Sequence, residues 1–258
     1  MKNIREKRAC LFIIAALLQL VNLNVYGQNK AVDKDTSIQT LLDIAKCSKW
    51  QTIKEREGVE ISYRWLSYGD TLKTREIALN FRVEAAANKV LENLRTKSAL
   101  TKWNHGVKEL NVYTKTDSLW ITHTVYDIPY PLSEQDLVTK NHIVINDEVI
   151  IIDVTAAPDL VIQNDNVNRQ RYYFGRWSLA SQADGTTKVR FSAISFSKSN
   201  IPRFIRDPIV QNKLLSSFIT LKEISTGNNR VASLYGEEYN RGSLKKRGNK
   251  DEENSIWF

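Results

Sequence analysis

Cysteine is nearly absent from this chain: Cys10 and Cys47 are the two among 258 residues. Cys10 falls in a segment with the marks of a removable leader, so one thiol would remain and no disulfide could form within the chain. The fold must then be held by its core, and Cys47 is expected as a small buried residue in a first helix over Asp35–Lys49. Histidine is as scarce, with His105, His123 and His142, and no two of them have the i, i+4 spacing of a helical metal pair. GxSxG, HExxH, a Walker loop and a glycine-rich dinucleotide turn are all missing, which removes the common motif-borne chemistries. No cofactor or metal is expected. Charge of one sign is not massed either. The formal net charge is +8, and basic residues alternate with acids, as in Lys54-Glu55-Arg56-Glu57. A nucleic-acid binder would gather its cations on one face, so no nucleic-acid partner is expected.

The longest apolar run is short and lies at the start. Lys2, Arg5, Lys7 and Arg8 precede Leu11 to Leu20, and Val25 and Gly27 are small enough for a cleavage site. This pattern predicts a secretory signal over residues 1–27, with an uncleaved anchor as the alternative. The segment has four basic residues and one acid, net +3, which leaves +5 on the exported protein. That surplus supports no more than a weak preference for anionic membrane surfaces. The expected location is the periplasm or the exterior.

What the chain has is strand pattern. Val59, Ile61, Tyr63 and Trp65 alternate with polar neighbours, and Ile77, Leu79, Phe81 and Val83 do so again, with Glu76, Asn80 and Arg82 facing outward. A helix is predicted from Glu84, with Val90, Leu91 and Leu94 on its apolar side, then a connector over Ser98–His105 that holds Trp103. Hairpin turns are predicted at Thr116-Asp117-Ser118, Asn146-Asp147 and Ala183-Asp184-Gly185-Thr186. Ala156–Asn168 reads as a long loop. From Asp207 to Thr226, Ile209, Leu214, Phe218 and Leu221 form a stripe that Val210, Leu215 and Ile219 widen, so a long terminal helix must bury a broad face. Residues 227–258 lose the periodicity and read as a charged, flexible tail. Strands in succession followed by one long helix predict an α+β domain over 28–226: a curved antiparallel β-sheet wrapped around a C-terminal α-helix.

Aromatic side chains concentrate along the strands. Trp103, Tyr126, Tyr173 and Trp177 are candidates to line an apolar cavity, with His123, Asn141 and Arg176 as polar groups within it. The segment from Asp127 to Asp136 has two prolines and no alternation, so it reads as a rigid crossing at a rim.

Several segments together resemble the START lipid-transfer family. DIPYPLSEQDLV is similar to its P-x-P-x-S-x-R-D signature. TREIALNFRVEAAANKVLENLR resembles its third strand and following helix, and Trp103-Asn104 its connector tryptophan. GRWSLASQADGTTKVRF resembles its late hairpin, and IPRFIRDPIVQNKLLSSFITLKE its terminal helix. The likeness covers roughly residues 40 to 226. It implies a helix-grip fold, a tunnel for a lipid or other hydrophobic molecule, and no catalytic residues. Gln135 departs from it, where the family commonly has arginine, and this weakens the case for a phospholipid. The family look and the short leader together point to a bacterial source.

The expected activity is therefore binding of a hydrophobic molecule, with its transfer and transient membrane contact as further expectations. Each methylene removed from water is worth about 0.8 kcal/mol, so a chain of a dozen costs roughly 10 kcal/mol to leave exposed. Two alternatives stay open. One is a helix-grip enzyme of the polyketide-cyclase type, which would need an acid/base pair in the cavity, at His123 or Asp153. The other is an interaction module with a solid core. Oligomeric state is not readable.

Overall fold

The computed structural model describes residues 37–127, 134–146, 149–164, 167–196 and 203–227. The expected signal, most of the proline segment and the C-terminal tail lie outside these residues. Contacts divide the chain between Ser37 and Ile38, and everything below belongs to the second unit.

In order, the elements are α1 (Ile38–Ile44), β1 (Lys46–Cys47), β2 (Gln51–Arg56), β3 (Val59–Tyr68), β4 (Leu72–Val83), α2 (Ala87–Arg95) and α3 (Lys97–Trp103). Then come β5 (Val107–Thr116), β6 (Leu119–Tyr126), β7 (Gln135–Asn146), β8 (Val149–Ala156), a 3-10 turn (Pro158–Leu160), β9 (Asn168–Arg169), β10 (Tyr173–Ser181), β11 (Thr187–Ser195) and α4 (Arg203–Thr226). One eleven-stranded curved sheet runs β1-β3-β4-β11-β10-β8-β7-β6-β5, with β2 also on β3 and β9 on β7. All pairings are antiparallel except that of β9 with β7. This is the expected helix-grip arrangement, a sheet closed by the terminal helix.

The hairpin residues do what their chemistry allows. Glu57 and Gly58 both take positive φ, 53° and 70°, in the turn between β2 and β3, and Gly185 does so at 79° between β10 and β11. Three local expectations change. The first helix is shorter than Asp35–Lys49: α1 ends at Ile44, and Cys47 sits exposed in the edge strand β1. Lys46, Ser48 and Lys49 offer no apolar partner spacing to continue the helix. The Ser98–His105 connector is largely helical, as α3. Gln135 and Asp136, read as part of the proline crossing, are paired strand at the start of β7.

Opposed residues in a ladder share a face, so the register sorts every side chain. Phe81 packs edge-to-face on Phe218 of α4, with ring centroids 5.8 Å apart, and this fixes the inner face. Four inner rows cross the sheet. Val59, Phe81, Val189, Leu179 and Ile150 form the first, and Ile61, Leu79, Phe191, Trp177, Ile152 and Ile143 the second. The third row is Tyr63, Ile77, Ala193, Gly175, Val154 and Asn141. Trp65 and Arg75 pair in the fourth, as do Tyr173 and Ser195. Ser195 directly follows Ile194, which stands opposite Glu76, so these two pairs lie side by side.

The first two rows meet the C-terminal half of α4. Leu215, Phe218, Ile219 and Leu221 are buried there, and Trp103 of α3 closes the side. Trp103, Trp177, Phe191 and Phe218 form one aromatic cluster. Such ring pairs contribute about 0.5–1.5 kcal/mol each beyond their burial. Hydrogen bonds clamp the helix at its flanks: Lys54 Nζ donates to Asn212 Oδ1 (3.0 Å), Lys213 Nζ to the Asp127 carbonyl (3.1 Å), and Lys222 Nζ to the Glu57 carbonyl (2.7 Å).

Candidate ligand site between the sheet and the terminal helix

The apolar stripe of α4 is buried along only part of its length. Ile209 and Val210, expected inside, are 38% and 41% exposed. Pro208 lies within this end of the helix and has no N–H to donate to the carbonyl four residues back, so the turn is weakened there. Beneath it, the third and fourth rows keep accessible inner surface. Tyr63, Trp65, Arg75, Ile77, Ala193, Ser195 and Tyr173 are all only half-buried. The middle of the third row is Ala193 beside Gly175, so the floor is lowest where the flanking rows are bulky. A Cβ at Gly175 would stand 3.4 Å from Phe191, Tyr173 and Val154. The filled rows and the accessible rows meet at Trp177, which stacks on Phe218 and forms the base of the open end.

Two tyrosines mark the interior of that end. Burial pushes the Tyr173 phenol far above its ordinary value, with a further contribution from Tyr126. Its hydroxyl makes no hydrogen bond among the described residues, yet it is not one of the sealed polar atoms that lack partners. Tyr173 is only half-buried, so it keeps accessible surface on the inner face. Burial raises Tyr126 as well, opposed by hydrogen bonds with the Asn104 and Thr124 side chains. A phenol of this kind can orient one polar atom of an otherwise apolar guest.

The seven sequence candidates divide by face. Tyr126, Asn141, Tyr173 and Trp177 are on the inner face, and Trp103 reaches it from α3. Trp103 donates its indole N–H to the Asn93 carbonyl (2.9 Å) and belongs to the packed cluster. Asn141 is buried, and its amide is occupied by the Trp120 carbonyl and the Thr122 and Thr139 hydroxyls (3.2–3.3 Å). His123 and Arg176 are on the outer face, contrary to expectation. Arg176 stands opposite Asp153 and donates to both its oxygens (2.6 and 3.2 Å), and to Gln39 of α1 (3.0 Å). His123 Nε2 bonds Asp136 Oδ2 (3.0 Å). Asp136 also receives Arg169, whose Nη2 lies 2.5 Å from the same oxygen. Arg169 further donates to the carbonyls of Pro158 and Val161. This buried group fastens the 158–169 loop to β7.

Arg75, Ala193 and Gly175 also belong to the inner rows, and no sequence motif marks them. Arg75 carries a charge onto the inner face, where its guanidinium pairs with Asp207 of α4 and lies 5.2 Å and 5.6 Å from the ring centres of Tyr63 and Trp65.

No protein-family model and no curated protein matches the chain. Solved structures do. A STAR-related lipid transfer protein from Xanthomonas axonopodis is similar at a TM-score of 0.60 and 24% identity, over 68% of this chain and 98% of that one. Human STARD10 is similar at 0.59 and 14%, over 84% and 87%. Human StAR-related lipid transfer protein 5 is similar at 0.53 and 15%, over 82% and 95%.

The chain has the START fold.

In a START fold the sheet grips the terminal helix, and the half-filled interface described above lies between those two elements. Within this chain the aromatic cluster occupies one half of the interface, and the other half retains the accessible inner rows.

Proposed function

We propose that this START-fold chain encloses a hydrophobic small molecule between its third and fourth inner rows and the N-terminal half of α4, as a non-catalytic carrier. The observation that carries the reading is the half-buried inner surface of the third and fourth rows, where Tyr173, whose hydroxyl makes no hydrogen bond among the described residues, stands near Ala193 and Gly175. Two of the similar structures are lipid transfer proteins, which agrees with it. The groups a cyclase-like reaction would use, His123 and Asp153, stand on the outer face, one hydrogen-bonded to Asp136 and the other ion-paired with Arg176, which weighs for carriage over turnover. Exposed Ile209 and Val210 at the entrance suit brief contact with a membrane while cargo exchanges. Export through the 1–27 leader would place this exchange in the periplasm or outside the cell.

The test is native mass spectrometry of protein purified from its own host, followed by incubation with mixed liposomes. A stoichiometric co-purifying or extracted apolar molecule supports the reading. Protein that stays empty through both steps refutes it.

A further inference from the structure

We infer that Arg75 is the counter-ion for an acidic head on the bound molecule, and that the cargo is a long-chain carboxylate. The inference rests on the carrier reading above. Arg75 is the unusual member of the fourth row: a cation on the inner face of the sheet, with its side chain 16% exposed. Two aromatic faces, Tyr63 and Trp65, hold its guanidinium in place. Among the described residues its one hydrogen-bond acceptor is Asp207. That acceptor belongs not to the sheet but to α4, the element that must shift for a guest to enter. Arg75 therefore changes its surroundings whenever the entrance opens, and a partly desolvated guanidinium then needs another acceptor.

The position also selects the chemistry. Arg75 lies beside Ser195, and Tyr173 is two strands away, about 10 Å along the row. A head held at Arg75 would direct its tail over Ile77 and Ala193 toward the base at Trp177. The partner it would displace is itself a carboxylate, and the planar guanidinium matches that group edge to edge. Asp207 then acts as an internal competitor. It satisfies Arg75 in the empty protein and yields to cargo.

The experiment compares hexadecanoate with hexadecanol, two probes of equal chain length, by calorimetric titration of the full exported chain. Wild type should bind the acid at least tenfold more tightly than the alcohol. Arg75→Met should remove that preference and keep alcohol binding, and Arg75→Lys should restore part of it. Asp207→Asn should tighten the acid several-fold and leave the alcohol unchanged. Circular dichroism checks that each variant is folded, and should Arg75→Met fail to fold, the Asp207→Asn result decides. Equal binding of acid and alcohol by wild type overturns the inference and leaves the carrier reading intact, as does unchanged acid binding in folded Arg75→Met. Weaker acid binding in Asp207→Asn also overturns it. Failure of wild type to bind either probe overturns both.

Discussion

Trp177 of β10 lies nearly parallel to Phe218 of α4, with ring centroids 5.3 Å apart and planes 11° apart. This contact joins the sheet to its closing helix and divides the interface into a filled part and an accessible part. Truncating either ring leaves a void in the filled part. Phe218→Ala is expected to cost about 3–5 kcal/mol, and Trp177→Ala a similar amount. Urea titration checks both, and a loss under 1 kcal/mol for Phe218→Ala would mean that the cluster does not brace the helix.

Ala193 should respond differently. A larger side chain there would occupy the accessible part without disturbing the aromatic cluster. Ala193→Trp is expected to lose uptake of apolar probes while its melting temperature stays within a few degrees of wild type. Ala193→Leu offers a milder version should tryptophan prove too large. Undiminished uptake in both folded variants would place the guest elsewhere.

Acid should act on the outer face. Burial alone would raise the Asp136 carboxyl, but hydrogen bonds from Arg169 and then His123 outweigh it and hold the group below the usual carboxylate range. A carboxyl lowered by folding contributes stability that is fully present above its unfolded value, about 4, and is lost as pH falls through the folded value. Urea midpoints should therefore drop below about pH 4 in wild type and drop less steeply in Asp136→Asn. Arg169→Met, which strands a buried carboxylate, should cost about 3–5 kcal/mol at neutral pH. Parallel acid profiles for wild type and Asp136→Asn would remove this account.

The leader offers a direct check. Expressed in an exporting host, the chain should be recovered with Gln28 at its N-terminus and a single thiol, Cys47, which is exposed and should react with maleimide without denaturant. An intact Met1 on exported protein would favour the uncleaved anchor.

The sheet was readable wherever alternation was clean. Ile77, Leu79, Phe81 and Val83 face inward as their spacing implies, and the hairpin at Asp184-Gly185 falls where glycine permits its turn. His123 and Arg176 face outward, not inward as expected: Thr122 and Thr124 flank His123, and Gly175 and Trp177 flank Arg176, so the local sequence gives neither one a clear polar–apolar parity. Only the pairing of His123 with Val138 and of Arg176 with Asp153 reveals it. Bulges in the β5–β6 ladder shift parity further. The Arg169–Asp136 contact joins the two-residue strand β9 to a strand 33 residues earlier, and no local signal encodes such a pairing. Arg75 was hidden for the opposite reason. A charged residue in a strand reads as solvent-facing, and its inward partners, Asp207 132 positions later and the rings of Tyr63 and Trp65, all lie on other elements.

The terminal helix is fastened unevenly. Leu215 through Leu221 are wedged against rings, whereas before Asn212 the described tie to the sheet is the Arg75–Asp207 pair, next to a proline that interrupts the helical ladder. Such a rod can pivot like a hinged latch about its buttressed tail. If the chain is the carrier proposed above, fold maintenance and admission would fall to opposite ends of one element, and the doorway could be retuned for a new passenger without loosening the masonry behind it.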